Sequence, residues 1–315
     1  MAININKNKY LIRIAKAAKK IVLPGFDGLS LYEVARFFGK GIFEGYITAR
    51  ASSIAFSFFL AIFPMILVFF TVIPFIPIEN FQITLVNLID SITPNSTEVI
   101  INQTLSDIIE RPRRGLLSIT FVLTLFFATN GFSSIIEAFN NTYHSIETRS
   151  WIKQKIIALL MFFIVSIIII LAIILLTTGT AFIEFLYAKD LLNSSFQGSL
   201  LEGVRWLLLL AMFFFTISFI YYLAPAKASK FRFISAGSTL ATILALIASL
   251  GFNYYVQNFS SYNALYGSIG TLLIVLMWIY FNSIILLIGF ELNASIQSAQ
   301  KKNQESEKTL NSVTV

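Results

Sequence analysis

The chain has 315 residues, 57% of them hydrophobic and only 12% charged, with a formal net charge of +7 and a mean hydropathy of +0.78. A soluble domain carries about 25% charged residues, so half that share cannot cover a water-facing surface of this size, and an ordinary soluble enzyme is excluded. There is no Cys, which removes disulfide frameworks and thiolate metal sites.

Residues 1–50 are a basic segment without a long apolar core: Ile21-Val22-Leu23 stops at Pro24. No cleaved signal peptide is expected, and the first membrane span serves as the insertion signal. Within this segment Leu31, Val34, Phe38 and Ile42 recur at helical spacing beside Arg36 and Lys40. That pattern predicts an amphipathic helix on the inner leaflet. Six apolar runs then follow, at 51–76, 115–136, 156–183, 206–223, 233–256 and 268–288. Each approaches the roughly 20 residues that a helix needs to cross the hydrocarbon core. The runs are continuous rather than alternating, so they read as helices and not as barrel strands. No Asp, Glu, Lys or Arg occurs from Phe233 to Phe290.

The fold class is therefore an all-α integral membrane protein with six transmembrane helices and flanking interfacial amphipathic helices. Its membrane domain covers residues 51–296, with an outer helical loop at 77–114. That loop carries one stripe of Phe81, Leu85, Leu88 and Ile92 and another of Ile101, Leu105, Ile108 and Ile109. A polar, disordered cytoplasmic tail is expected at 297–315. With both termini inside, the cytoplasmic face holds 18 of the 23 Lys and Arg, as the positive-inside rule requires. The basic excess thus reads as a topology signal rather than a nucleic-acid footprint.

Ser53, Ser57 and Ala61 lie four apart on the first span, as Gly237, Ala241 and Ala245 do on the fifth. Small residues let membrane helices approach closely. The plain reading is packing; the functional one is a polar-lined path, to which Ser52, Ser238 and Thr242 add hydroxyls. Pro64, inside the first span, removes a backbone hydrogen bond and predicts a kink. Glu291 and Asn293 follow the sixth span, and Glu137, Asn140 and His144 follow the second. An acid carried into the membrane needs a partner or a raised pKa; otherwise it is an interfacial acid. Arg111, Arg113 and Arg114 stand on the outer side against the charge bias, either as snorkelling anchors or as a contact for anionic lipid. His144 is the only histidine, and no metal, cofactor or enzyme motif is found: H-E-x-x-H, G-x-S-x-G and the P-loop are all missing.

Several stretches resemble the YihY/BrkB family of bacterial inner-membrane proteins. They are Thr48 to Phe56 with Pro64, Ala138-Phe139-Asn140-Asn141-Thr142-Tyr143, and Tyr222-Leu223-Ala224-Pro225. The most specific comprises Tyr262, Tyr266, Gly267, Gly270, Trp278-Ile279-Tyr280 and Gly289-Phe290-Glu291-Leu292-Asn293-Ala294. The resemblance covers about Glu44 to Ala299. It implies a six-helix inner-membrane protein, linked by name to virulence and serum resistance, with a role in moving lipids or envelope precursors suspected for some members. Members have also carried the label ribonuclease BN, to which this sequence lends no catalytic cluster and no RNA-holding domain. His144 stands where members often carry Arg.

The leading expectation is a transporter-like protein that moves or binds a lipid or envelope precursor. The alternative is a non-transporting envelope scaffold. The expected partners are membrane lipids, envelope proteins or a second copy of the chain, with no nucleic acid and no cofactor.

Overall fold

The computed structural model describes residues 16–72, 114–142, 145–146, 149–189, 195–226, 233–258 and 268–313. In chain order these form α1 (Leu31–Glu44), α2 (Ile47–Val72), α3 (Arg114–Asn140), the two-residue strands β1 (Asn141–Thr142) and β2 (Ser145–Ile146), α4 (Trp151–Ala188), α5 (Ser195–Leu223), α6 (Ala236–Asn258) and α7 (Ser268–Val313). Six of them, α2 to α7, are long and apolar enough to cross a membrane. Large apolar side chains stand exposed along them, among them Ile167, Ile170 and Ile173 on α4 and Ile243, Ile247 and Leu250 on α6. Such a surface is costly in water and natural against lipid tails. The chain is an all-α polytopic membrane protein.

The helices outrun their apolar runs because backbone hydrogen bonding does not stop at the membrane edge. The 46 residues of α7 span about 69 Å at 1.5 Å per residue, more than twice the hydrocarbon thickness. Its last turns occupy the segment for which the sequence predicts a disordered tail; the structure instead makes it helical to Val313. Two causes are visible. Gln, Lys and Glu are good helix formers. In addition, Leu292, Ile296 and Ala299 pack with Phe26, Leu29 and Val34 in one buried cluster, flanked by Phe37 and Phe38, and Gln300 Nε2 donates to Asp27 Oδ2 at 2.8 Å. The apolar stripe of α1 is thus spent on α7, while Phe43 and Tyr46 remain exposed.

The start of α1 is set by a capping box: Ser30 Oγ accepts from the Glu33 N–H, and the Glu33 carboxylate accepts from the Ser30 N–H. The Ser30 hydroxyl and backbone hold the Glu33 carboxyl below its ordinary pKa. A depressed carboxyl pKa stabilises the fold above the unfolded pKa and ceases to do so as pH falls through the folded value. Glu33→Gln is therefore expected to lower the melting temperature at neutral pH, and the gap from the parent should close on acidification into the carboxylate range. Ser30→Ala should cost about 1 kcal/mol. Melting curves at several pH values check both.

The chain divides into two compact units, Met1–Ala55 with Phe132–Val315, and Phe56–Gly131. Within the smaller, a Cβ on Gly131 would lie 3.3 Å from the ring of Phe58. The hydroxyls of Thr120 and Thr124 donate to carbonyls of their own helix. Ala61 and Pro64 are buried and Ser57 is half-buried. Pro64 lies inside a helix assigned without a break from Ile47 to Val72. In the larger unit, Ser53 is exposed, whereas Gly237, Ala241 and Ala245 form a buried stripe.

Candidate functional site

Among the described residues, the least exposed charge lies in the larger unit. Glu291, on α7, has a side chain with no exposure and is bound by Arg50 from the first turn of α2, whose Nη1 donates to Oε1 at 2.7 Å. Thr142 on β1 supplies the third member: its hydroxyl lies 2.9 and 2.8 Å from the two carboxylate oxygens. Three chain segments far apart in sequence thus meet on one carboxylate, which answers the requirement that a buried acid have a partner.

Local geometry aims each group. Gly45 and Tyr46 make the tight joint between α1 and α2, with Tyr46 at φ 49. A Cβ on Gly45 would overlap the Gly41 carbonyl oxygen, so only glycine fits the joint. The Gly45 carbonyl accepts a second bond from Arg50 Nη1 at 2.8 Å, which fixes the guanidinium. Thr142 is presented by an antiparallel ribbon in which Asn141 pairs with Ile146 and Thr142 with Ser145.

The arrangement leaves one part unused. Arg50 Nε and Nη2 are buried and have no hydrogen-bond partner among the described residues. Those two N–H groups form one edge of the guanidinium, the edge that grips two oxygens of a carboxylate or phosphate side by side.

The cluster is backed by aromatic rings. Phe139 and Phe290 stack at 4.0 Å with 6° between planes, and Tyr221 meets both edge-on. The Tyr221 hydroxyl donates to the Leu286 carbonyl at 2.6 Å. Against this block α6 and α7 cross backbone to backbone: a Cβ on Gly237 would overlap the Gly289 carbonyl oxygen, and one on Gly289 would lie 2.8 Å from Ala241 Cβ.

The other expected site residues divide. Asn293 is buried and caps the start of α6: Oδ1 accepts from the Gly237 N–H at 2.8 Å, and Nδ2 donates to Ser235 Oγ at 2.9 Å. Asn140 Oδ1 accepts from the Ala226 N–H at 2.8 Å. Asn293 therefore satisfies a donor at the start of α6, and Asn140 satisfies a backbone donor of the turn that follows α5. Arg149 lies on the last carbonyls of α5, donating to Leu223, Ala224 and Pro225, where a cation also suits the helix dipole; burial lowers its pKa. Glu137 is exposed. The hydroxyls of Ser52, Ser238 and Thr242 donate to carbonyls of their own segments. Gly270 is buried, and Trp278 packs on Phe252 at 4.7 Å. His144, Arg111, Arg113, Tyr262, Tyr266, Gly267 and most of the outer loop lie outside the described residues; Arg114 opens α3. Among the described residues no cluster of three His, Cys, Asp or Glu can hold a metal.

In the sequence Arg50 and Thr142 stand within stretches that resemble the family, and neither is singled out there as a site residue. The available signal was the demand for a partner to Glu291 together with the basic residue that opens the first span.

A family model described as virulence factor BrkB matches residues 41–312. Among curated relatives, a ribonuclease-like protein, YfkH, of Bacillus subtilis is 28% identical over 82% of this chain and 93% of its own length. A UPF0761 membrane protein of Haemophilus influenzae is 25% identical over 85% of this chain and 96% of its own. In one from Xanthomonas campestris, 25% identical, the match covers 84% of this chain but only 60% of the relative. No solved structure matches the chain.

Proposed function

Because the chain belongs to the BrkB family of membrane proteins, we propose that it is transporter-like, and that the Arg50–Glu291–Thr142 cluster binds the anionic group of a lipid or envelope precursor. One observation carries this reading: the buried Nε–Nη2 edge of Arg50, unmatched among the described residues, beside the Glu291 carboxylate. A buried guanidinium that meets a single carboxylate oxygen end-on is left short of acceptors, and phosphate or carboxylate supplies them in the right geometry. An anion on that edge loosens the hold of Glu291, and with it the tie between the start of α2 and α7. The chain carries no P-loop, so movement would run down a gradient or with a partner.

In this reading both termini face the cytoplasm and the protein sits in the bacterial inner membrane, as the Lys and Arg distribution suggests. The ribonuclease-like name of the Bacillus relative gains no support here, since the cluster holds a single acid shielded from solvent. A scaffold role is the second reading. It is favoured by α4, whose most apolar stretch is only 6% buried inside the chain and is open to a partner as readily as to lipid.

Native mass spectrometry after detergent exchange tests the binding claim. The parent protein is expected to retain anionic lipid or precursor, and Arg50→Lys to retain several-fold less, because lysine keeps the charge and lacks the edge. Equal retention in the folded fractions of both would reject the reading.

A further inference from the structure

A second buried guanidinium sits on the α4–α5 hairpin, apart from the Arg50–Glu291–Thr142 cluster. Arg205 is 9% exposed. Its Nη2 pairs with Glu202, three residues earlier on the same helix, while Nε and Nη1 are buried without partners among the described residues. Glu202 also accepts from the Trp206 indole N–H at 2.9 Å, and the Arg205 guanidinium lies 5.7 Å from the Trp206 ring centre. On the facing helix, Gly179 makes the room: a Cβ there would come within 2.7 Å of Arg205 Cδ.

Depth places this group at a membrane edge. From Arg205 to Leu223, where Arg149 closes the other end of α5, the helix rises about 27 Å, close to the hydrocarbon thickness of about 30 Å. Trp206, 57% exposed, stands beside it as an interfacial Trp does. A guanidinium that merely snorkelled would leave its head in the solvent or headgroup layer; this one is drawn against Gly179 with two donors that meet no acceptor among the described residues.

We propose that Arg205 is a phosphate site: it takes a phosphate-bearing anion, either a lipid headgroup at this edge or free phosphate, in competition with Glu202. The competition follows from charge and from the fork. Both two-oxygen grips on a guanidinium use Nη2, one with Nε and one with Nη1; Glu202 holds one Nη2 N–H and sets its negative charge beside any anion that takes the other fork. Glu202 is the internal stand-in for the anion, and its removal should strengthen binding.

Trp206 is the local reporter. With Trp151→Phe and Trp278→Phe it is the only tryptophan, and the full chain is placed in phosphatidylcholine bilayers containing brominated phosphatidylglycerol. Quenching of Trp206 is expected to exceed the mole fraction of the anionic lipid. The relative association constant should fall about tenfold in Arg205→Gln, the loss of one charge-assisted contact. It should fall less in Arg205→Lys and rise in Glu202→Gln. In lipid-free detergent, inorganic phosphate is added instead. A shift in Trp206 emission that Arg205→Gln abolishes, without preference for the brominated lipid, assigns the site to free phosphate. Parent-like responses to both probes in Arg205→Gln and Arg205→Lys, or weaker binding in Glu202→Gln, would overturn the proposal. None of these readouts involves Arg50 or Glu291, so failure here and failure of the proposed function are separable.

Discussion

Glu291→Ala is expected to destabilise the folded protein by about 3–5 kcal/mol, the cost of leaving a buried guanidinium without its counter-ion. After the change Arg50 keeps, among the described residues, only the Gly45 carbonyl, and the Thr142 hydroxyl loses its carboxylate. Glu291→Gln keeps the shape and one acceptor and should cost less. Removing both charges with side chains of similar volume, Arg50→Met with Glu291→Met, should recover most of the loss, since a buried pair replaced by apolar groups is often neutral. A double-mutant cycle by unfolding in detergent measures the coupling. Strict additivity would show that the pair does not stabilise the fold as a pair.

The second large effect is steric. Gly237→Ala and Gly289→Ala should each cost about 1–3 kcal/mol or more, the scale of overpacking in a filled interior. At Gly237 the added methyl overlaps a backbone carbonyl, which cannot swing aside, and comes within 2.6 Å of the Asn293 side chain. The helices must part, which also strains the Asn293 cap and the Tyr221–Leu286 bond. Gly203 and Gly251 are the controls: nothing lies within 4 Å of a Cβ at either. Alanine there should be neutral or add up to about 1 kcal/mol through helix propensity. Thermal unfolding of the four variants separates the two classes; equal behaviour would refute the close crossing.

These two sites show what the sequence makes legible and what it hides. The spacing of Gly237, Ala241 and Ala245 marks a packing face, because helical period converts directly into a stripe, and the structure buries all three. The same spacing on the first span leaves Ser53 exposed; period says which residues share a face, not whether another helix covers it. The need of Glu291 for a partner was also legible from its place beside an apolar run. The partner was not, since Arg50 is 241 residues away and Thr142 is 149, and no local pattern encodes such a pairing. Asn293 and Asn140 read as functional polar groups; the structure shows each accepting from a backbone N–H, Asn293 at the start of α6 and Asn140 in the turn after α5. Ser30-Leu31-Tyr32-Glu33 is a capping-box signature that could have fixed the start of α1 from sequence alone. The helix that runs on into the tail packs at its base, through Ala299, in one cluster with Phe26 and Leu29, which polarity alone does not reveal.

The most direct test of the central claim is lipid translocation in vesicles. The parent protein, Glu291→Gln and Arg50→Lys are reconstituted at matched, folded density with a fluorescent anionic lipid. Transbilayer movement is followed by chemical quenching of the outer leaflet, with and without an ion gradient. Movement is expected in the parent protein and should drop about tenfold or more in both variants, with unlabelled anionic lipid competing. Absence of movement in the parent under every gradient, or undiminished movement in folded Glu291→Gln and Arg50→Lys, would contradict that claim.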